Sequence, residues 1–237
     1  MKFKYLVLGA LLSGYAFAGV DTKTPVVEEP VCVVPWTGDV TVGYETDYFF
    51  RGAQFSEDNP WASVNLNFPL WNEVSLDLGA WYLNGITPDN FDELDVYGFL
   101  NFPLSLPVLG DLAASLGGTW FYFPETSGGN DTAEASLNLA KDLALPFIGD
   151  VSAHAFAAHD FEAGSGGWYF QTGLDKAIAL SNCLDLELGG GVSYTDDYFG
   201  SDAWNHAFAT AGVAWHWTEA ATLRAYVGGN FVLDGLE

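Results

Sequence analysis

The chain has little positive charge. It holds 7 Lys+Arg against 31 Asp+Glu in 237 residues, a formal net charge of −24. Phosphate contacts are made by lysine and arginine, so this balance argues against nucleic acid as a partner. Cysteine is nearly absent: Cys32 and Cys183 are the only two, too few for a disulfide scaffold or a thiolate zinc site. There is one Met, and Lys, Arg and Gln are scarce, while aromatics make up 16% and Gly numbers 27. That mixture disfavours helix and favours strand. Disordered acidic chains are poor in aromatics, so long disorder is also disfavoured. Beyond the N-terminus no apolar run reaches the ~18 residues that a membrane helix needs. The longest uncharged stretch of interest, Val96 to Gly110, is broken by Asn101, Pro103 and Pro107.

What is present begins with an export signal. Lys2 and Lys4 supply a positive start, Tyr5 to Leu12 an apolar centre, and Ala16-Phe17-Ala18 a small-x-small cleavage site. Residues 1–18 are therefore expected to be a signal peptide, with the mature chain beginning at Gly19.

From Val40 onward apolar and polar residues alternate with period two, the strand signal. Val40, Val42, Tyr44, Tyr48 and Phe50 fall on one face, and Thr41, Gly43, Glu45, Asp47 and Arg51 on the other. The pattern recurs in ten further segments, from Val64/Leu66/Phe68 to Leu223/Ala225/Val227/Phe231. The polar face is small, uncharged or acidic. A soluble sandwich would show many lysines on its outer face, and here lysine is nearly missing.

Short turns are expected near 71–72, 109–111, 148–150, 181–182 and 219–220. Longer Gly/Asp/Pro/Asn-rich loops are expected at 52–60, 84–91, 124–131, 160–167 and 195–203. Aromatics gather at the loop ends (Tyr48 to Phe50, Trp61, Trp81, Tyr82, Trp120 to Phe123, Trp168 to Phe170, Tyr194, Trp204), with a thinner set at the turn ends (Trp71, Trp215, Trp217). Segments of about this length, unequal connections and two aromatic girdles together describe a transmembrane antiparallel up-and-down β-barrel. The domain reading is a periplasmic N-terminal segment at 19–38 and an outer-membrane β-barrel at 39–237. Eleven segments is an odd count, and bacterial single-chain barrels are even. About 12 strands (10–12) are expected, with the last absent or unrecognised.

Residues 38–85 resemble the opening of the TorF porin family. That family starts with an alternating strand ending in a Ser-Asp-Tyr-x-Phe-Arg-Gly-like motif, followed by a polar Pro-containing loop and a third strand ending near Trp. Here the motif is Thr46-Asp47-Tyr48-Phe49-Phe50-Arg51-Gly52, the loop carries Asn59-Pro60, and Trp81 ends the third strand. The resemblance implies a pore in the outer membrane of a Gram-negative bacterium.

The alternation sends Glu45, Asp47, Asp77, Asp95, Glu134, Asp142, Asp175, Asp185 and Glu187 inward, against Arg51 and Arg224. Two arginines cannot neutralise nine carboxylates, so the bore should be negative and favour cations. Inward Gly43, Gly79, Gly117, Gly173, Gly189, Gly191 and Gly212 should leave it open. The expected function is passive diffusion of small solutes or ions through a cation-preferring channel. The alternative is a closed barrel serving as a structural or adhesive surface protein. The expected partners are outer-membrane lipid and small solutes or cations.

No catalytic set emerges. Ser152 and His154 share one face, as do His206 and His216, but no Gly-x-Ser-x-Gly turn occurs. His154, His159 and Asp160 fall on opposite faces of a strand, a poor metal set. Asp196, Asp197 and Asp202 read as a solvated acidic loop. No enzyme activity, cofactor or metal is expected. Export places Cys32 and Cys183 in an oxidising compartment on the periplasmic side. A disulfide between them, tying down the N-terminal segment, is expected.

Overall fold

A computed structural model describes residues 7–14, 36–87, 91–124, 131–162, 166–198 and 200–233, with backbone alone for 7–14. Among these there is no helix. The strands are β1 (Val7–Gly14), β2 (Thr37–Phe50), β3 (Ala53–Trp71), β4 (Val74–Gly85), β5 (Phe91–Leu106) and β6 (Gly110–Tyr122), then β7 (Thr132–Leu145), β8 (Gly149–Asp160), β9 (Trp168–Ser181), β10 (Leu184–Tyr198), β11 (Ser201–Thr218) and β12 (Ala221–Val232). From β2 to β12 each strand pairs antiparallel with the next. These eleven strands form one curled, barrel-like up-and-down sheet.

The eleven segments read from the sequence are these eleven strands. The extra strand is not the C-terminal one anticipated. It is β1, which pairs with β12 (Leu12↔Leu223) and with β2 (Leu12↔Val42) across the seam between the sheet's edges. It is eight residues long, overlaps the stretch read as the apolar centre of an export signal, and lies wholly within the expected signal peptide 1–18.

Alternation gives this sheet an apolar outside and a polar inside. Val40, Val42, Tyr44, Val64, Leu78, Val96, Leu116, Leu174, Val213 and Leu223 are all exposed. Their neighbours Thr41, Asp77, Asp95, Gly117, Asp175, Gly212 and Arg224 point the other way. Sheets normally bury their apolar face against another layer. Among the described residues nothing covers this one.

Two expected loops are strand instead. The β2–β3 connection is the two-residue turn Arg51-Gly52, with φ of 51° and 87°. Both central residues at positive φ is the hairpin turn whose twist matches its strands. Residues 53–60 continue β3 in pairing with β2, and Glu57 bridges Thr87. Likewise β10 runs to Tyr198 and β11 starts at Ser201, so most of 195–203 is strand. The short turns fall where expected.

An irregularity near the β2–β3 tip reverses two facing assignments, those of Tyr48 and Phe50, whose rings both lie inside. Ser56 and Asn59 are both buried and hydrogen-bonded at 2.5 Å, although three residues apart, because Asp58 between them takes φ 58°. The register itself shifts three residues earlier: Phe55 is left over between Tyr48↔Ser56 and Phe49↔Gln54, a β-bulge. Opposite it, Tyr48 turns inward and is buried against Leu83 and Phe91, not on the outer face with Val40.

Candidate functional site

The sheet's interior is the candidate site, and its two ends differ. At the loop end it is packed and dry. Leu83, Asp160, Glu93, Ser193, Thr195, Tyr169 and Tyr198 are all buried. Many of the aromatics read as a lipid-facing girdle belong to this packing. Tyr48 lies 5.5 Å from Trp81 and 6.0 Å from Phe91, ring to ring, with Trp61 and Phe123 alongside. Tyr82, Trp120, Trp168, Phe170, Tyr194 and Trp204 remain exposed on the outer face. The turn end is open to solvent. Side-chain exposure is 55% for Asp175 and 41% for Glu187, against 3% for Glu134 at the loop end.

Among the described residues, cavities run through this interior. A chamber of about 610 Å³ in the middle is lined by Glu45, Asn138, His154, Gln171 and Tyr226, with Arg51, Glu134 and Tyr169 towards the loop end. Two smaller ones lie towards the turns. One, about 420 Å³, is lined by Asp39, Asn65, Asn67, Asp77 and Tyr97, and shares Phe99 and Asn138 with the chamber. The other, about 370 Å³, is lined by Asp175, Glu187 and Arg224, and shares Thr210 and Tyr226 with it.

The inward glycines do not leave the bore empty. A Cβ on Gly43 would lie 2.5 Å from the Trp61 indole, and one on Gly79 2.4 Å from the Tyr97 ring. Phe99 fills the space over Gly117, His154 that over Gly173, Phe208 that over Gly191 and Tyr226 that over Gly212. Each of these six seats a ring from an adjacent strand, a device that pins register and curvature, while Gly189 is faced by the Asp175 carboxylate and the Thr210 hydroxyl. The expectation that they open the bore is corrected: they are where its filling sits.

The inward acids also have partners. Asp77 accepts from Asn67 (2.5 Å) and Asn101 (2.7 Å). Asp175 meets His154 Nδ1 at 2.8 Å, and Asp185 meets His216 Nε2 at 2.9 Å. Arg224 donates to Glu187 at 3.4 Å, and the Tyr226 hydroxyl donates to Glu45. Asp95 sits beside Glu93, which is bonded by Tyr48. Asp47 stays at the hairpin, bonded by Thr46 and Gln54 (both 2.8 Å), and lines the chamber. Asp142 is exposed. A count of two arginines against nine acids overlooked His154 and His216 as counter-groups and the asparagine amides as neutral donors. The walls differ accordingly. On β2–β6 the acids Asp39 and Asp77 are held by neutral donors, the amides of Asn65, Asn67 and Asn101 and the Thr41 hydroxyl, and on β8–β12 they face cationic or imidazole groups.

Arg51 and Glu134 form the innermost pair. The guanidinium Nη2 donates to Glu134, which also accepts from the Tyr198 hydroxyl at 3.0 Å. Around the guanidinium carbon stand the rings of Tyr169 (4.4 Å), Phe50 (4.8 Å), Tyr198 (4.9 Å) and Phe156 (5.7 Å). Asn205 holds the Arg51 carbonyl oxygen at 2.9 Å. Tyr198, Tyr169, Phe156 and Glu93 were missed in the sequence. Tyr198 fell in an expected loop, and the others look like ordinary strand positions.

A buried Ser193–His206 contact (Oγ to Nδ1, 2.8 Å) also faces this end. Ser193 Oγ further donates to the His206 carbonyl and accepts from its backbone N–H, both at 3.2 Å. These bonds hold the serine to the strand. Cys183 is an exposed thiol at the β9–β10 turn, and Cys32 lies outside the described residues.

The profile of a family described as "bacterial protein of unknown function (Gcw_chp)" matches residues 30–232, and the chain belongs to that family. No curated protein and no solved structure matches it. Nothing in these comparisons ties it to the TorF family or to porins; that resemblance stands on the sequence of residues 38–85 alone.

Proposed function

We propose that this member of the uncharacterised Gcw_chp family is an outer-membrane barrel that conducts small cations passively. The observation that carries the reading is a solvent-open, acid-bearing interior within a sheet whose outer face is apolar. In water such a face is a liability, and in lipid it is the required surface. The short turns would face the periplasm and the packed loop end the outside. Acidic rings favour cations.

The test is current through the refolded mature chain in a planar bilayer under a salt gradient. Stepwise conductance with a cation-signed reversal potential is expected. Asp77→Asn, which preserves shape and most of the bonding to Asn67 and Asn101, should move that potential toward zero. A second reading, a closed barrel with a structural or adhesive role, is favoured by the packed loop end. A folded barrel that never conducts would establish it over the first.

Export makes a separate prediction. Cleavage after Ala18 would remove β1. The seam would then be closed by β2 and β12, which run in the same direction because each is antiparallel to β1. The intact mass of the chain purified from outer membranes should correspond to a start at Gly19. A mass that retains residues 7–14 would make β1 an integral strand and remove the export reading. Titration of the unreduced protein should find no free thiol if Cys32 and Cys183 are paired.

A further inference from the structure

The geometry points to an organic-cation site at the head of the chamber, with Arg51 as its tethered occupant. This rests on the channel reading and names the solute class: small cations bearing a guanidinium or primary ammonium group.

Arg51 does not come from the middle of a strand. It sits at the tip of the β2–β3 hairpin, at φ 51° in a two-residue turn, and its side chain reaches across to β7. A long side chain on a hairpin tip can leave its place without moving any strand. The place it occupies is made for a planar cation. Glu134 supplies the carboxylate, with 3% of its side chain exposed, and Tyr169, Tyr198, Phe50 and Phe156 present ring faces within 4.4–5.7 Å. Ring faces attract cations by their quadrupole, and more strongly when water is excluded. Arg51 Nη1 is buried there with no hydrogen-bond partner, so the guanidinium is held by one bonded nitrogen and by the rings. A free cation could offer the same face with no tether. Arg51, Glu134 and Tyr169 all line the 610 Å³ chamber, so vacating the guanidinium opens the site to solute arriving past the acids of the turn end. The solute displaces Arg51, and the displacement loosens the packed loop end.

A merely structural arginine would block all solutes alike, so the test uses a shape-matched pair: methylguanidinium, charged, and methylurea, neutral. Uptake of each is measured in liposomes carrying the folded mature barrel. Arg51→Ala should take up methylguanidinium about ten-fold faster than methylurea, the ratio a single charge-assisted contact supplies. Glu134→Gln should pull the wild-type ratio down toward the value set by the outer acids. Saturable thermal stabilisation of Arg51→Ala by methylguanidinium, absent with methylurea and absent in Arg51→Ala/Glu134→Ala, reads binding without transport. Equal uptake of the two solutes by Arg51→Ala, or an unchanged ratio in Glu134→Gln, overturns the site. Selective stabilisation without any uptake supports the site and overturns the channel reading. Neither stabilisation nor uptake in a folded barrel overturns both. If Arg51→Ala does not fold, the wild-type and Glu134→Gln ratios decide.

Discussion

Glu134→Ala is expected to destabilise the folded sheet by ~3–5 kcal/mol, the usual cost of leaving one member of a buried ion pair without its partner. Glu134 and Arg51 have side-chain exposures of 3% and 10%, so water cannot replace what is lost. The guanidinium would keep its four rings, but these cannot accept a hydrogen bond in the plane of the nitrogens. Tyr198 would lose the acceptor of its hydroxyl at the same time. The measurement is the unfolding midpoint in detergent, followed by loss of the compact, heat-modifiable gel band. The control is the double variant Arg51→Met/Glu134→Leu. Replacing both partners by apolar groups of similar volume is often neutral or better. The double variant should therefore recover most of the stability that the single one loses. A double variant as unstable as Glu134→Ala would mean that the packed end depends on something other than this pair. Stability and the solute preference proposed above are separate readouts, because the first needs only a filled site and the second a charged one.

The second large effect is expected at Gly117. A Cβ there would lie 2.0 Å from the carbonyl oxygen of Gly98 and 2.8 Å from Phe99 Cα, both backbone atoms of the paired strand β5. Backbone in a continuous ladder cannot step aside. Pairing between β5 and β6 runs without a register shift from Leu94↔Tyr122 to Leu106↔Gly110. Gly117→Ala should therefore cost at least the upper end of the ~1–3 kcal/mol typical of overpacking. Gly98→Ala is the comparison. Its Cβ would meet Leu78 Cδ2 at 3.2 Å, the far end of a flexible side chain. Glycine is itself a poor strand residue, so this change should be close to neutral or mildly stabilising. The same unfolding assay ranks the two. Similar losses at both positions would show that the sheet relaxes around Gly117 and that its ring seat is not rigid.

These two sites also show how much was legible beforehand. That Gly117 and Glu134 face inward follows from alternation on a single strand, and both facings are found. That Phe99 fills the space over Gly117 does not follow, because it depends on which residue of the next strand is level with it. Glycine therefore read as space when it was a seat. The bulge at Phe55 and the turn of the backbone at Asp58 are a second case. An unpaired Phe55 and a residue at φ 58° break the period for a few positions, and Tyr48 and the 52–60 segment were misread for that reason. The family match over residues 30–232 spans all eleven strands from β2 to β12 and brings no activity with it.

Period-two alternation is a property of neighbours along the chain, enforced by the pleat. It was enough to read eleven strands, their short turns, the apolar outer face and the inward acids without coordinates. Contacts across the interior have another origin. Glu134 meets Arg51 across 83 residues, and Glu45 meets Tyr226 across 181. Those distances close only through strand order, tilt and curvature, which no local pattern encodes. Hence the pairing of the acids, the packing of one end and the chamber behind Arg51 came from the folded sheet.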